Sequence, residues 1–169
     1  MERLWSPWRM EYLEAARDEE PGTCVFCALL DGDDPDGSRV LAREELAFVT
    51  LAKYPYNPGH LLILPVRHIG ELEEVTEAEH AAVARLLRRS IRALREVSDP
   101  HGFNVGMNLG ESAGAGIADH LHLHIVPRWR GDTSFMTVSG GVRVIPEDLH
   151  ETYRKLKSAL EEQDGAAAG

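Results

Sequence analysis

His120, His122 and His124 stand at alternate positions in the run His-Leu-His-Leu-His-Ile-Val-Pro-Arg. On a β-strand, alternation places all three imidazoles on one face and Leu121, Leu123 and Ile125 on the other, so one face anchors in a core while the other meets a cleft. Imidazole offers metal ligation or nucleophilic and acid–base catalysis, and the spacing leaves both open. A half-buried strand with a merely polar histidine face is the plainer alternative; the crowding of 3 of the chain's 8 histidines into this run weighs against it. The preceding loop, residues 108–119, reads Asn-Leu-Gly-Glu-Ser-Ala-Gly-Ala-Gly-Ile-Ala-Asp, and its small residues let backbone N–H groups approach an oxyanion or phosphate. Such a loop alone is often only a turn, but here it leads directly into the histidine face.

The chain's 2 cysteines form Cys24-Val25-Phe26-Cys27, a spacing open to a zinc knuckle, a redox pair or two core thiols. No thioredoxin-like strand leads into it, and the tight spacing without an apolar secretory segment disfavours a disulfide. Two cysteines leave a tetrahedral zinc site incomplete, so any such site needs histidines.

The elements that must position these groups are legible in outline. Residues 40–42 and 47–51 read as paired strands, followed by a polar turn and a strand beginning at His60, itself read as a turn residue. Thr76-Glu77-Ala78-Glu79 is a capping box opening a helix to about Val97, with Val83, Leu86, Leu87, Ile91 and Leu94 on its apolar stripe and His80 at the surface. Residues 103–108 read as a strand before the glycine loop, and the triad strand follows it. Residues 146–160 should form a terminal helix with Leu149, Tyr153, Leu156 and Leu160 inward. At the other end, Ser6 and Pro7 suit a helix start, Met10, Leu13 and Ala16 share a face, and Trp5 and Trp8 read as packing residues. Residues 31–37 form a turn-rich link, 131–135 and 140–141 read as loops, and 161–169 are expected to be a mobile tail. The sum is an α+β domain spanning residues 1–169: about five strands, one long helix across a face and a C-terminal helix, with residues 1–36 forming the N-terminal helix and Cys-x-x-Cys segment.

Residues 120–126 resemble the signature of the histidine triad (HIT) superfamily, His-φ-His-φ-His-φ-φ with φ apolar, at every position. The framework over 40–132 is similar too: the turn Asn57-Pro58-Gly59-His60, the strand Leu61-Leu62-Ile63-Leu64-Pro65, then Arg67-His68-Ile69 and the long helix. Leu4-Trp5-Ser6-Pro7-Trp8-Arg9-Met10-Glu11-Tyr12, with Tyr54-Pro55-Tyr56 and Pro127-Arg128-Trp129, resembles the diadenosine tetraphosphate phosphorylase subgroup. The resemblance implies a HIT-like fold with an antiparallel sheet and a nucleotide transferase or hydrolase. In that reading His122 attacks an α-phosphate and forms a nucleotidyl-imidazole, which water or inorganic phosphate resolves. His124 donates to phosphate oxygens where charge develops, and His120 supports from the other side. Asn108, Gly114, Gly116 and the N–H of Ile117 would orient phosphates, with Ser112 and Lys53 as further contacts. By resemblance to zinc-containing triad proteins, Cys24, Cys27, His68 and His120 would hold a structural zinc, the alternative being two buried thiols and a surface His68. No organic cofactor is implied, and relatives are commonly homodimers joined at sheet edges. Two positions depart from the pattern: Ala52 stands where many members carry Asp or Asn for the ribose hydroxyls, and Gly116 and Ile117 where members often carry Gln or Ser.

A formal charge of −10 argues against general nucleic-acid binding, which relies on Lys and Arg at phosphates. A small nucleotide needs only local cations, and Lys53, Arg128 and Arg130 are candidates. No stretch approaches the ~18 apolar residues of a membrane span, so a cytoplasmic protein is expected. The first expectation is cleavage of diadenosine polyphosphates with phosphate as acceptor, giving ADP and ATP from the tetraphosphate. The alternatives are a hydrolase of those compounds or of nucleoside phosphoramidates, and a zinc-stabilised nucleotide-binding module without turnover.

Overall fold

The structure is a computed structural model describing residues 24–32, 39–132 and 148–167. The expected N-terminal helix with Trp5 and Trp8, most of the 31–37 link and the loops at 133–135 and 140–141 lie outside the described residues.

Four segments rich in β-branched and large apolar residues form β1 (Val40–Arg43), β2 (Ala47–Leu51), β3 (Leu61–Pro65) and β5 (Leu123–Arg128), and β4 (Gly102–Gly106) completes the sheet. Its order is β1-β2-β3-β5-β4, with every neighbouring pair antiparallel. β2 and β3 are buried at every position, which requires cover on both faces.

Period-2 alternation divides these strands between two cores. Val49, Leu51, Leu61, Ile63, Leu123 and Ile125 pack beneath α2 (Glu77–Ser98) and α3 (Leu149–Ala167). Phe48, Leu62 and Leu64 point the other way and meet Phe26 and Leu29 of a short helix, α1 (Val25–Asp31), which the sequence reading did not anticipate. Phe26 and Leu29 are three apart on one helical face, and Gly32 closes the helix in the left-handed region at φ 84°.

The long helix forms as its sequence demands. Thr76 Oγ1 accepts from the Glu79 amide at 3.3 Å while the Glu79 carboxylate accepts from the Thr76 amide at 2.8 Å. Arg67, just beyond β3, donates to both Glu79 oxygens at 2.9 Å, tying the helix start to the sheet and holding that carboxyl well below its usual range. Leu86, Leu94 and Ala82 are buried, with Val83, Leu87 and Ile91 half-buried against the same core.

β4 ends at Gly106 rather than at 108, and two other boundaries differ from expectation. The C-terminal helix does not stop at Leu160 but continues to Ala167. Residues 161–164 are strong or tolerant helix formers, and Asp164 pairs with Arg89 of α2, which holds the extra turns against the body. The triad strand begins at Leu123, not His120. The ladder with β3 ends at Ile63↔Leu123 because the Leu121 N–H turns instead to the Ile69 carbonyl at 2.7 Å.

Candidate functional site

Although only His124 lies within a strand, all three triad side chains leave the chain on the face opposite Leu121, Leu123 and Ile125. His120 and His122 are buried and His124 half-buried. His122 and His124 meet edge to face with ring centroids 4.9 Å apart, and Phe26 of α1 lies 5.3 Å from His122 and 5.6 Å from His120. α1 thus packs over the His120 end.

Each triad tautomer is set by a neighbour that can play only one part. A carbonyl only accepts, so His120 Nε2, 3.0 Å from the Pro65 oxygen, carries the proton and its Nδ1 is bare. His122 Nδ1, 2.8 Å from the His120 carbonyl, likewise carries the proton, so Nε2 presents a lone pair. The Tyr56 amide can only donate, and it donates to His60 Nδ1 at 3.1 Å. His60 therefore donates from Nε2 to His124 Nδ1 at 3.0 Å, which puts the His124 proton on Nε2. That Nε2–H is buried and meets no hydrogen-bond partner among the described residues. A bare nucleophilic nitrogen thus stands beside an uncommitted donor.

Burial keeps these rings neutral. It lowers His122 below the usual histidine value, opposed by its bond to the His120 carbonyl. Burial and the neighbouring His122 lower His124 to about 4, and burial with His124 and His122 lowers His60 to about 3. The reading of His60 as a turn residue is therefore incomplete, because its ring orients His124. The available signal was parity, since His60 shares the face of Leu62 and Leu64, opposite the main core. Gly59 makes the turn before it with φ 73°, and a Cβ there would stand 2.9 Å from Leu94 Cδ2. Asn57 fastens the same turn to the end of β5, donating to Pro127 O at 2.8 Å and Asp132 Oδ2 at 2.9 Å.

At the other end of the triad, Cys24, Cys27, His68 and His120 converge, their ligand atoms all within 4.8 Å of one another. Cys24 Sγ lies 3.4 Å and Cys27 Sγ 3.7 Å from His120 Nδ1, and Cys27 Sγ is 3.5 Å from His68 Nδ1. Tetrahedral zinc with two thiolates and two imidazoles sets neighbouring donors about 3.5 Å apart, so the donor set fits a metal ion in kind and spacing. Burial and Cys24 push the Cys27 thiol up to about 11, a cost that a bound cation reverses. The cysteines are free rather than disulfide-bonded, and their i, i+3 spacing across the start of α1 turns both toward His120.

The loop candidates divide. Asn108 lines a groove that reaches His124. Gly114 stands in the left-handed region at φ 97°, but its N–H already bonds the Glu111 carbonyl at 2.8 Å, so it is not placed as a phosphate donor. The amides of Gly116 and Ile117 bond no other backbone carbonyl among the described residues, and the Ile117 side chain packs beside α1. Lys53 is exposed, its Nζ 5.8 Å over the Tyr54 ring. Arg128 is committed to Asp132, from Nε at 2.6 Å and from its second terminal nitrogen at 2.9 Å. Among the described residues no helix is long and apolar enough to cross a membrane.

Comparison with known proteins places these features. Residues 36–131 match the HIT domain family. A Mycobacterium tuberculosis protein named AP-4-A phosphorylase is 46% identical over 162 residues, spanning 92% of this chain and 83% of that protein. An adenosine 5'-monophosphoramidase from Schizosaccharomyces pombe is 30% identical over 138 residues, 82% of this chain and 98% of that one. A zinc-bound histidine triad family protein from Mycobacterium smegmatis superposes with a TM-score of 0.70 at 34% identity, over 85% of this chain and 97% of that chain.

Proposed function

This chain belongs to the HIT domain family, and we propose on that basis that it cleaves diadenosine polyphosphates, using inorganic phosphate as acceptor and turning diadenosine tetraphosphate into ADP and ATP. The observation that carries the reading is the pairing of a bare His122 Nε2 with an uncommitted His124 Nε2–H. The similarity to AP-4-A phosphorylase supports the choice of substrate.

In this reading His122 Nε2 attacks the α-phosphorus in line, an N–P bond forms, and the P–O bond breaks with its electron pair leaving on ATP. Imidazole gains positive charge in that step, and the Nδ1–H bond to the His120 carbonyl stabilises it. The His124 Nε2–H donates to a non-bridging oxygen, with the Gly116 and Ile117 amides and Asn108 as further donors. Phosphate then attacks the adenylyl phosphorus, frees His122 and gives ADP. His122→Ala should lower turnover by roughly 10³-fold or more while folding and metal content persist. Chromatography of the products checks the reaction: ADP with ATP only when phosphate is present supports it, and AMP with ATP in either condition makes the protein a hydrolase. The phosphoramidase relative favours a second reading, hydrolysis of nucleoside phosphoramidates by the same His122.

The Cys24, Cys27, His68 and His120 site is read as structural zinc, supported by its donor set and the zinc-bound neighbour. Zinc there would neutralise the thiolates and leave no open position for substrate. The reading also takes the protein as a cytoplasmic homodimer acting on small nucleotides. Its support is the free cysteine pair and the outer edge of β4, which no other strand pairs among the described residues and where Val105 is 43% exposed.

A further inference from the structure

Beside His124, on the side away from His122 and Phe26, the histidine face opens into a groove of about 340 Å³. Its lining includes Tyr56, Asn104, Gly106, Asn108 and Val126, so one wall is edge strand β4 and another the turn that carries His60. The volume lies within the range of about 300–1,000 Å³ typical of small-molecule sites. The lining indicates what kind of group fits. Arg128 also borders the groove, but Asp132 answers its charge and its remaining arm donates to Asn104 Oδ1 at 2.7 Å. Among the described residues no other Lys or Arg borders the groove, so apart from His124 and Asn108 it offers a phosphate chain little. It offers a flat heterocycle the Tyr56 ring, 44% exposed and stacked on His60 at 4.7 Å, the apolar Val126 surface and the Asn104 side chain.

We propose that this groove receives the base of the leaving nucleoside during cleavage of a dinucleoside polyphosphate, making Tyr56 and the β4–β5 surface determinants of preference for two-nucleoside substrates. The inference rests on the function proposed above. In-line displacement sets the leaving group on the far side of phosphorus from the nucleophile. Phe26 and α1 crowd the His122 side, whereas the open space begins at His124. When the His122 N–P bond forms and the P–O bond breaks, the electron pair leaves on a polyphosphate whose distal nucleoside lies along this groove.

Gly106 makes the test clean. It pairs in register with His124, so its side-chain direction is the histidine face, and a Cβ there would meet nothing within 4 Å. Ala, Val and Leu at this position fill the groove by increments, and the first two suit or tolerate a strand better than glycine. Binding of diadenosine tetraphosphate and of AMP is measured by calorimetry in a His122→Asn background, which removes turnover. The dinucleotide Kd should rise along Gly106→Ala, Gly106→Val and Gly106→Leu, by about 10-fold at Leu, the scale of one lost base stack, while the AMP Kd stays within about 2-fold. An unchanged dinucleotide Kd overturns the proposal, as does parallel weakening of both ligands, which would mean that the new side chain disturbs the triad itself. Should Leu prevent folding, the Ala and Val variants carry the series. Failure of the proposed reaction is a separate result, because it appears as absent cleavage by the unaltered chain, whereas the groove is judged from the ratio of two binding constants.

Discussion

His120 and His124 are the same residue type, four apart, on the same face of the same segment, yet they serve opposite ends of the site. At His120 the Pro65 carbonyl takes the Nε2 proton and leaves a bare Nδ1 between two sulfurs, the arrangement of a metal ligand. At His124 the bond from His60 occupies Nδ1 and leaves a buried Nε2–H without a partner among the described residues, the arrangement of a donor to developing charge. His122 between them borrows from the first end, since the His120 carbonyl fixes its tautomer. A histidine's task is thus set by which nitrogen its neighbours leave uncommitted, and the two ends should fail differently.

The largest expected effect is at the His120 end. Cys27→Ala should abolish stoichiometric metal binding, read by elemental analysis, and lower the melting temperature by about 10 °C or more, as a loss of several kcal/mol does in a chain of this size. An unchanged melting temperature with metal gone would break the structural assignment. At the other end, His124→Ala should lower kcat by about 10²–10³-fold, the loss typical of one donor to transition-state charge. Its metal content should not move, and a drop in metal would mean that the two ends are not independent.

Acid sharpens the contrast next. His60 sits near 3 when folded against about 6.5 unfolded, so the unfolded chain binds the extra proton between those values. Its contribution to stability is complete above about pH 6.5 and is lost as pH falls toward 3. Between pH 7 and pH 5 His60 alone should take roughly 2 kcal/mol from the stability read by urea, in addition to what the lowered His124 loses, and His60→Gln should remove the His60 share of that slope. The smallest effect is on turnover by the same variant. His60→Gln should cost about 10-fold in kcat because it relaxes the His124 tautomer without removing the ring, and metal content should again stay constant.

Much of the frame was legible because local physics dominates it. The Thr76 capping box, the apolar stripe of α2 and strands β2 and β3 came from patterns that short-range geometry enforces, and the structure places them within a residue or two of the reading. The errors fall where partners distant in sequence intervene. Asp164 holds about two further turns of helix through Arg89, and Ile69 draws Leu121 out of the ladder so that the strand starts late. Gly114 is a local case instead: its amide closes a turn on the Glu111 carbonyl three residues back, a contact that glycine content alone does not signal.

Alternation and i, i+3 spacing are properties of the chain, so three imidazoles on one face, a cysteine pair at ligand spacing and an α+β frame that carries both follow from residue order. What each imidazole does follows instead from contacts made on folding. The deciding partners are Pro65 for His120, 55 residues away, and His60 for His124, 64 residues away. Proton placement on a ring of two nitrogens answers to whichever donor or acceptor folding brings within about 3 Å, and no spacing along the chain encodes that distance.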